Sequence, residues 1–310
     1  MNQEKTNISF PVDYHIHTML CNHAEGGMES YVKKAVSAGF KEICFLDHLT
    51  LGEPGNRLSM TPEEVPFYFQ AVSHMKNRYK EAISIKAGLE IDFNPGYISL
   101  FNAISESFSF DVIGASLHFP AGIDVVSRKS GWSNGEKETD LIYGLYLEHL
   151  DKMLDYDYFD VVCHLDLLKK FGRKPSGSFE KDLDHIVEKI AKKNIAVEVN
   201  TSGYDFPAKE AFPSFYILKK CRKAGVGITI GSDAHDPESI GRHYEKALPL
   251  IRSAGYGHFC VFTERERSDV PLPAGFESNV LSNYSDRHKG TEHQRHKVER
   301  SEENELLNFP

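Results

Sequence analysis

The sequence predicts an α/β fold, a distorted (β/α)7 TIM-like barrel with a metal site at the C-terminal strand ends. Three observations lead there. Short β-branched runs alternate with longer amphipathic runs from residue 10 to about 263. Metal-binding side chains end nearly every short run, and there are seven such units instead of eight. Strands alternating with helices imply parallel pairing through right-handed crossovers. An open sheet gathers its site at one switch point, whereas a closed barrel brings every strand end to one rim. Ligand-type residues at so many strand ends therefore favour closure, and the number of units favours a distorted version of the regular eight-stranded barrel.

The expected strands are residues 12–17, 42–47, 83–90, 111–118, 159–164, 196–200 and 227–231. Between the first two lies a helix over 28–38, where Tyr31, Val32, Ala35 and Val36 recur at helical spacing and Gly39 is placed to stop it. Thr61-Pro62-Glu63-Glu64 opens the next helix with an N-cap residue, a first-turn proline and early acids. Residues 178–193 and 237–254 read as helices too. Residues 120–136, rich in Gly and Ser, interrupt the rhythm after the fourth strand, on the active side, and read as a lid or binding loop. Residues 277–310 are polar and of mixed charge, with a late apolar cluster of Leu306, Leu307 and Phe309. The expected division is a barrel over 1–270 and a peripheral tail over 271–310, disordered by composition.

At 310 residues the chain is long enough to bury a large core without disulfides. Its five cysteines are odd in number and form no CxxC pair, as in a reduced cytoplasmic protein. No apolar run is long enough to span a membrane, and the first residues lack the apolar stretch of a signal peptide. A formal charge of −9 argues against a nucleic-acid partner, which a basic excess would attract.

Nine side chains carry the chemistry: His15, His17, His23, His48, Glu90, His118, His164, Asp233 and His235. His15 and His17 alternate on one strand and so face the same side. Asp233-x-His235 repeats that pattern after the last strand. Seven imidazoles and two carboxylates are too many for one ion and predict two or three. Ligation without thiolate suits zinc, manganese or iron. Such a cluster activates water and clamps a phosphate, so hydrolysis of a phosphate ester is the expected chemistry. No GxSxG, P-loop or CxxC offers a rival. The remaining histidines fall in helical stretches (His74, His149, His185, His243) or in the tail (His288, His293, His296), where surface or packing roles suffice, and His258 has no evident role. Candidate helpers are Asp47, to orient a ligand or water, Asp166, to protonate the leaving group, and the cations Lys169, Lys170, Arg173, Lys174 and Arg242, with Arg128 and Lys129 in the long loop.

These motifs resemble a known family. DYHIHT, the downstream His23, FLDH, GLEIDF, His118, His164 and GSDAH are similar to the PHP (polymerase and histidinol phosphatase) superfamily. CHLDLLKKFG, VEVNTSGY and GSDAHDPESIGR resemble its monofunctional histidinol-phosphatase branch. The resemblance covers roughly residues 10 to 265. It implies three divalent metal ions: one on His15, His17, Glu90 and Asp233, a second sharing Glu90 and adding His118 and His164, and a third on His23, His48 and His235. The implied reaction is hydrolysis of L-histidinol phosphate to L-histidinol and phosphate in histidine biosynthesis, by a hydroxide bridging two metals. The implied partners are a small phosphomonoester and its phosphate product; composition and charge, separately, argue against a membrane and a nucleic acid. The stretch after His118 is less aromatic than that branch's usual pattern, and Asp124 and Trp132 are the residues expected to meet the organic half of the substrate there. The alternatives are another small phosphomonoester, a phosphodiesterase or nuclease, and a metal-stabilised module without activity. Oligomeric state is not legible.

Overall fold

The computed structural model describes residues 11–135 and 138–274. Seven strands form one sheet in chain order: β1 (Val12–Ile16), β2 (Glu42–Leu49), β3 (Ser84–Asp92), β4 (Val112–Ser116), β5 (Val161–Val162), β6 (Ala196–Asn200) and β7 (Ile228–Gly231). Every adjacent pair is parallel. Just beyond its last strand the sheet closes on itself: His17 N–H donates to the Ala234 carbonyl at 2.9 Å, and Ala234 N–H to that of His15 at 3.2 Å. The result is a distorted (β/α)7 barrel. The distortion is visible in β5, which contributes two residues, and in a register shift between Asp13 and Ile16. Both faces of such strands are covered, so they are apolar nearly throughout, as in Ile43, Phe45, Ile85, Leu89, Ile113 and Val197.

Helices α1 (Met28–Ala38), α2 (Val65–Tyr79), α3 (Ile98–Ser107), α4 (Thr139–Met153), α5 (Glu180–Lys192), α6 (Phe215–Lys223) and α7 (Tyr244–Ser253) follow the strands in turn. The first matches its expected bounds, and Gly39 ends it at φ 84°. The second starts later than Pro62. Residues 62–64 form a turn in which the Glu64 carboxylate accepts Thr61 N–H at 2.8 Å. The helix expected over 237–254 is cut to its second half, because Asp13 Oδ2 accepts Gly241 N–H at 3.0 Å and ties that segment to β1. Gly241 and His243 both take positive φ there, which breaks the helical path. The five cysteines are free and buried, and no described helix is long and apolar enough to cross a membrane.

The sequence reading ended the regular structure near residue 263 and overlooked an antiparallel hairpin, β8 (His258–Thr263) and β9 (Glu266–Pro271). It seals the end of the barrel where the strands begin. The Tyr14 hydroxyl accepts Phe262 N–H at 2.8 Å and donates to Glu42. Lys86 donates to Thr263 at 2.6 Å, and Arg265 pairs with Asp160 and reaches the Tyr158 carbonyl at 2.7 Å. The turn uses Glu264 and Arg265 at positive φ, without the Asn-Gly pair that advertises such a hairpin. The polar tail expected over 277–310, with Leu306, Leu307 and Phe309, lies outside the described residues.

Candidate metal centre

At the other end of the barrel the nine side chains meet. Glu90, at the end of β3, lies in the middle. Its Oε2 is 2.6 Å from His48 Nδ1, 3.4 Å from His15 Nε2 and 3.8 Å from His17 Nε2. Its Oε1 is 2.8 Å from His164 Nε2 and 3.7 Å from His118 Nε2. Asp233 Oδ1 is 3.1 Å from His17 Nε2, 4.0 Å from His15 Nε2 and 3.5 Å from His235 Nδ1. The His23 ring completes the cluster, its centroid 4.5 Å from that of His235 and 5.3 Å from that of His48. Cys21, absent from the sequence-based set, also brings its sulfur within 4.8 Å of donor atoms on His23 and His235.

Within these side chains, His15 Nε2 and His235 Nε2 are buried without a hydrogen-bond partner, and His48 Nδ1 and Glu90 Oε2 have only each other, as a close ion pair with no hydrogen bond. Buried polar atoms are nearly always satisfied, so converging orphans of opposite polarity fit a set of cations. The electrostatics fit as well. Burial disfavours the charges of Glu90 and Asp233, yet the surrounding imidazoles outweigh it and hold both carboxyls well below their usual range. Burial, reinforced by neighbouring histidines, holds His118 and His235 well below the ordinary imidazole value, lowers His48 and brings His23 down to about 4. Those shifts favour the neutral ring, the form that ligates a metal. His15 and His17 differ: burial pushes them down, but their carboxylate neighbours outweigh it and raise His17 to about 9 and His15 well above the ordinary value. The carboxylates there favour positive charge, which a cation would supply. His164 and Asp233 also adopt positive φ, 28° and 54°, a cost of about 1–3 kcal/mol each that the surrounding structure must bear.

Two residues that the sequence reading passed over fix these ligands from behind. Glu198, on β6, accepts a hydrogen from His15 Nδ1 at 2.6 Å, which leaves Nε2 facing Glu90. Its other oxygen accepts His164 N–H at 3.0 Å and the Asn200 amide at 3.2 Å. Asn200 also donates to Asp233 Oδ2 at 3.3 Å, as does the Ser202 hydroxyl at 3.2 Å. Gly231 makes room for this packing, since a Cβ there would collide with both Glu198 and His15. Glutamine at 198 would have to aim its NH2 at one set of donors. Metal affinity of Glu198→Gln is therefore expected to fall about 10- to 100-fold, read by zinc titration against a competing chelator, with the circular dichroism spectrum unchanged. Unaltered affinity would reduce Glu198 to a packing role.

The proposed helpers divide into two groups. Asp47 sits behind His17, with Oδ1 3.3 Å from its Nδ1 and accepting His48 N–H at 2.9 Å, while Oδ2 takes both hydrogens of Thr18. Arg242 straps the backbone of the cluster, donating to the carbonyls of Ser232 at 2.8 Å and Asp233 at 2.7 Å. The other three are engaged elsewhere. Asp166 accepts Ser214 N–H at 2.9 Å and pairs with Lys169, which also meets Glu210 and the Ala211 carbonyl. Arg173 donates to Thr139 and lies 5.1 Å over the Trp132 ring. Trp132 itself is fully buried, so it is closed to a substrate, contrary to expectation. The cation that faces the cluster is Lys170. Burial lowers its pKa to about 8, and Asp233 is the largest opposing influence.

Fold and rim together define the class of metal-dependent α/β-barrel hydrolases. The chain belongs to the PHP domain family, whose profile matches residues 13–202. It is 28% identical over 256 residues to the probable histidinol-phosphatase of Deinococcus radiodurans, covering 82% of this chain and 97% of that one. It is also 28% identical over 257 residues to the histidinol-phosphatase of Lactococcus lactis subsp. lactis, covering 81% and 94%. The crystal structure of histidinol phosphate phosphatase from the latter organism, complexed with zinc, L-histidinol and phosphate, superposes with a TM-score of 0.74 at 27% identity, over 83% of this chain and 98% of that one.

Proposed function

We propose that this chain hydrolyses L-histidinol phosphate to L-histidinol and phosphate, using three divalent cations held by His15, His17, His23, His48, Glu90, His118, His164, Asp233 and His235. The observation that supports it most is Glu90, whose two carboxylate oxygens each face a separate group of imidazoles, as a bridging ligand requires. The chemistry such ions supply when bound is Lewis acidity toward phosphoryl oxygens and a water that ionises near neutral pH. The chain does the rest. Glu198 and Asp47 hold His15 and His17 in the tautomers that turn Nε2 inward. Arg242, Asn200 and Ser202 hold Asp233 in its left-handed backbone position. Lys170, half-buried and without a carboxylate partner among the described residues, neutralises charge that builds on the equatorial oxygens. The zinc of the Lactococcus complex makes zinc the first ion to test, with manganese and iron as alternatives that the same ligands accept. The five buried free thiols suit a reducing compartment, and we assign the enzyme to the cytoplasm.

Purified protein would be assayed for metal content and for phosphate release from L-histidinol phosphate, from other phosphomonoesters and from a short oligonucleotide. The expected result is kcat/KM on the order of 10⁴ M⁻¹ s⁻¹ or higher for histidinol phosphate, well above every other substrate. Preference for a different monoester would move the substrate assignment. Cleavage of the oligonucleotide alone would overturn the proposal.

A further inference from the structure

The segment between β4 and α4 is built to hold one exposed arginine in place. Val125 N–H donates to the His118 carbonyl at 3.1 Å, and Asp124 Oδ1 accepts the N–H groups of Val126 and Ser127, both at 2.9 Å. The Ser130 hydroxyl reaches the Ser127 carbonyl, and the Ser133 hydroxyl reaches the carbonyl of Arg128 at 2.7 Å. Beneath them Trp132 is buried against Tyr143 and Arg173. The Arg128 backbone is thus fixed by its own loop. Its guanidinium lies 4.8 Å over the ring of Phe206, and the Lys170 ammonium lies 4.2 Å over the same ring.

Two cations on one aromatic ring repel each other, and a solvated arginine is free to turn away. This one does not. Neither side chain has a hydrogen bond or ion pair among the described residues. Of the nearby carboxylates, Asp205 pairs with Arg242 and His243, while Asp124 caps its own turn through Oδ1 and, like Asp233, acts on Lys170 through its charge without bonding to it. Two cations over one ring without a bonded counter-ion, in a loop that Val125 N–H ties to the His118 carbonyl, make an arrangement that an anion completes.

We infer that Arg128 joins Lys170 in a two-cation clamp, steadied on Phe206, that takes the non-bridging oxygens of the substrate's phosphoryl group. The inference rests on the phosphomonoester reading proposed above and deepens it. A monoester is dianionic near neutral pH whereas a diester carries one charge, so the second cation selects monoesters. The planar fork of arginine can engage two oxygens at once, which an ammonium cannot. Arg128 is a specificity determinant delivered by the loop that follows His118.

The test is Arg128→Leu, which keeps apolar cover on Phe206 while removing the charge. In the metal-loaded variant, KM for L-histidinol phosphate and the inhibition constant of inorganic phosphate should each rise about 10-fold or more. The ratio of monoester to bis(p-nitrophenyl) phosphate turnover should fall, and zinc content should stay as in the wild type. Arg128→Lys should recover part of the loss. Unchanged constants in the folded variant, or equal losses on monoester and diester, would leave Arg128 as packing only and overturn the inference. Calorimetric binding of inorganic phosphate to the zinc-loaded protein separates the two claims. Should wild type bind phosphate tightly yet hydrolyse no monoester, weaker binding by Arg128→Leu would uphold the clamp while the enzymatic reading fails.

Discussion

Glu90→Gln is expected to lower kcat/KM on L-histidinol phosphate by on the order of 10³-fold or more, about 4 kcal/mol of transition-state stabilisation. The substitution conserves shape and removes one charge from the middle of the cluster. Both oxygens of Glu90 face imidazoles, Oε1 toward His164 and His118 and Oε2 toward His48 and His15. An amide would turn an N–H toward one of these groups, and it is a far weaker bridge between two cations than a carboxylate. Elemental analysis should therefore show occupancy falling at two sites together. A variant with near-normal turnover and full metal content would remove Glu90 from the centre of the mechanism.

Removing the ions should have an effect as large and should reach the whole fold. Prolonged chelation is expected to abolish turnover, with recovery on adding zinc or manganese back. Stability should fall with it, because ligands that bind only the folded state stabilise it by mass action, about 4 kcal/mol when free metal stands near 1,000 times Kd. For a domain of this size that corresponds to a drop in Tm of roughly 10 °C. The mechanism is local. Without cations, Glu90 and Asp233 lean on the charge of His15 and His17, and the buried Nε2 of His235 stays without a partner. Full activity after chelation, with metal content confirmed as nil, would contradict the reading of the rim as a cation site.

The barrel and the nine rim groups could be read from the chain because histidines at strand ends leave a strong signature. Glu198 and Asn200 left a fainter one. In VEVN they alternate with valines, which reads equally well as a strand with one wet face. In a closed parallel barrel neither face is wet, so a buried acid on β6 had to point at the cluster or be paired with it. That inference was available once closure was accepted. Choosing among neighbouring cations was harder. Lys169 and Lys170 are adjacent, and only the short helical turn they occupy decides that one meets Asp166 and Glu210 while the other faces the rim. The hairpin escaped because its second strand is charged and exposed, with none of the apolar alternation by which strands are recognised.

That hairpin changes how the molecule can evolve. With the floor of the barrel sealed by Tyr14, Lys86, Asp160 and Arg265, the burden of holding the strands in register is shared by a region remote from the chemistry. Loops at the rim, such as the stretch carrying Arg128, are then free to change in sequence without loosening the scaffold beneath them. New substrate preferences could be acquired on one side of the molecule while robustness is maintained from the other.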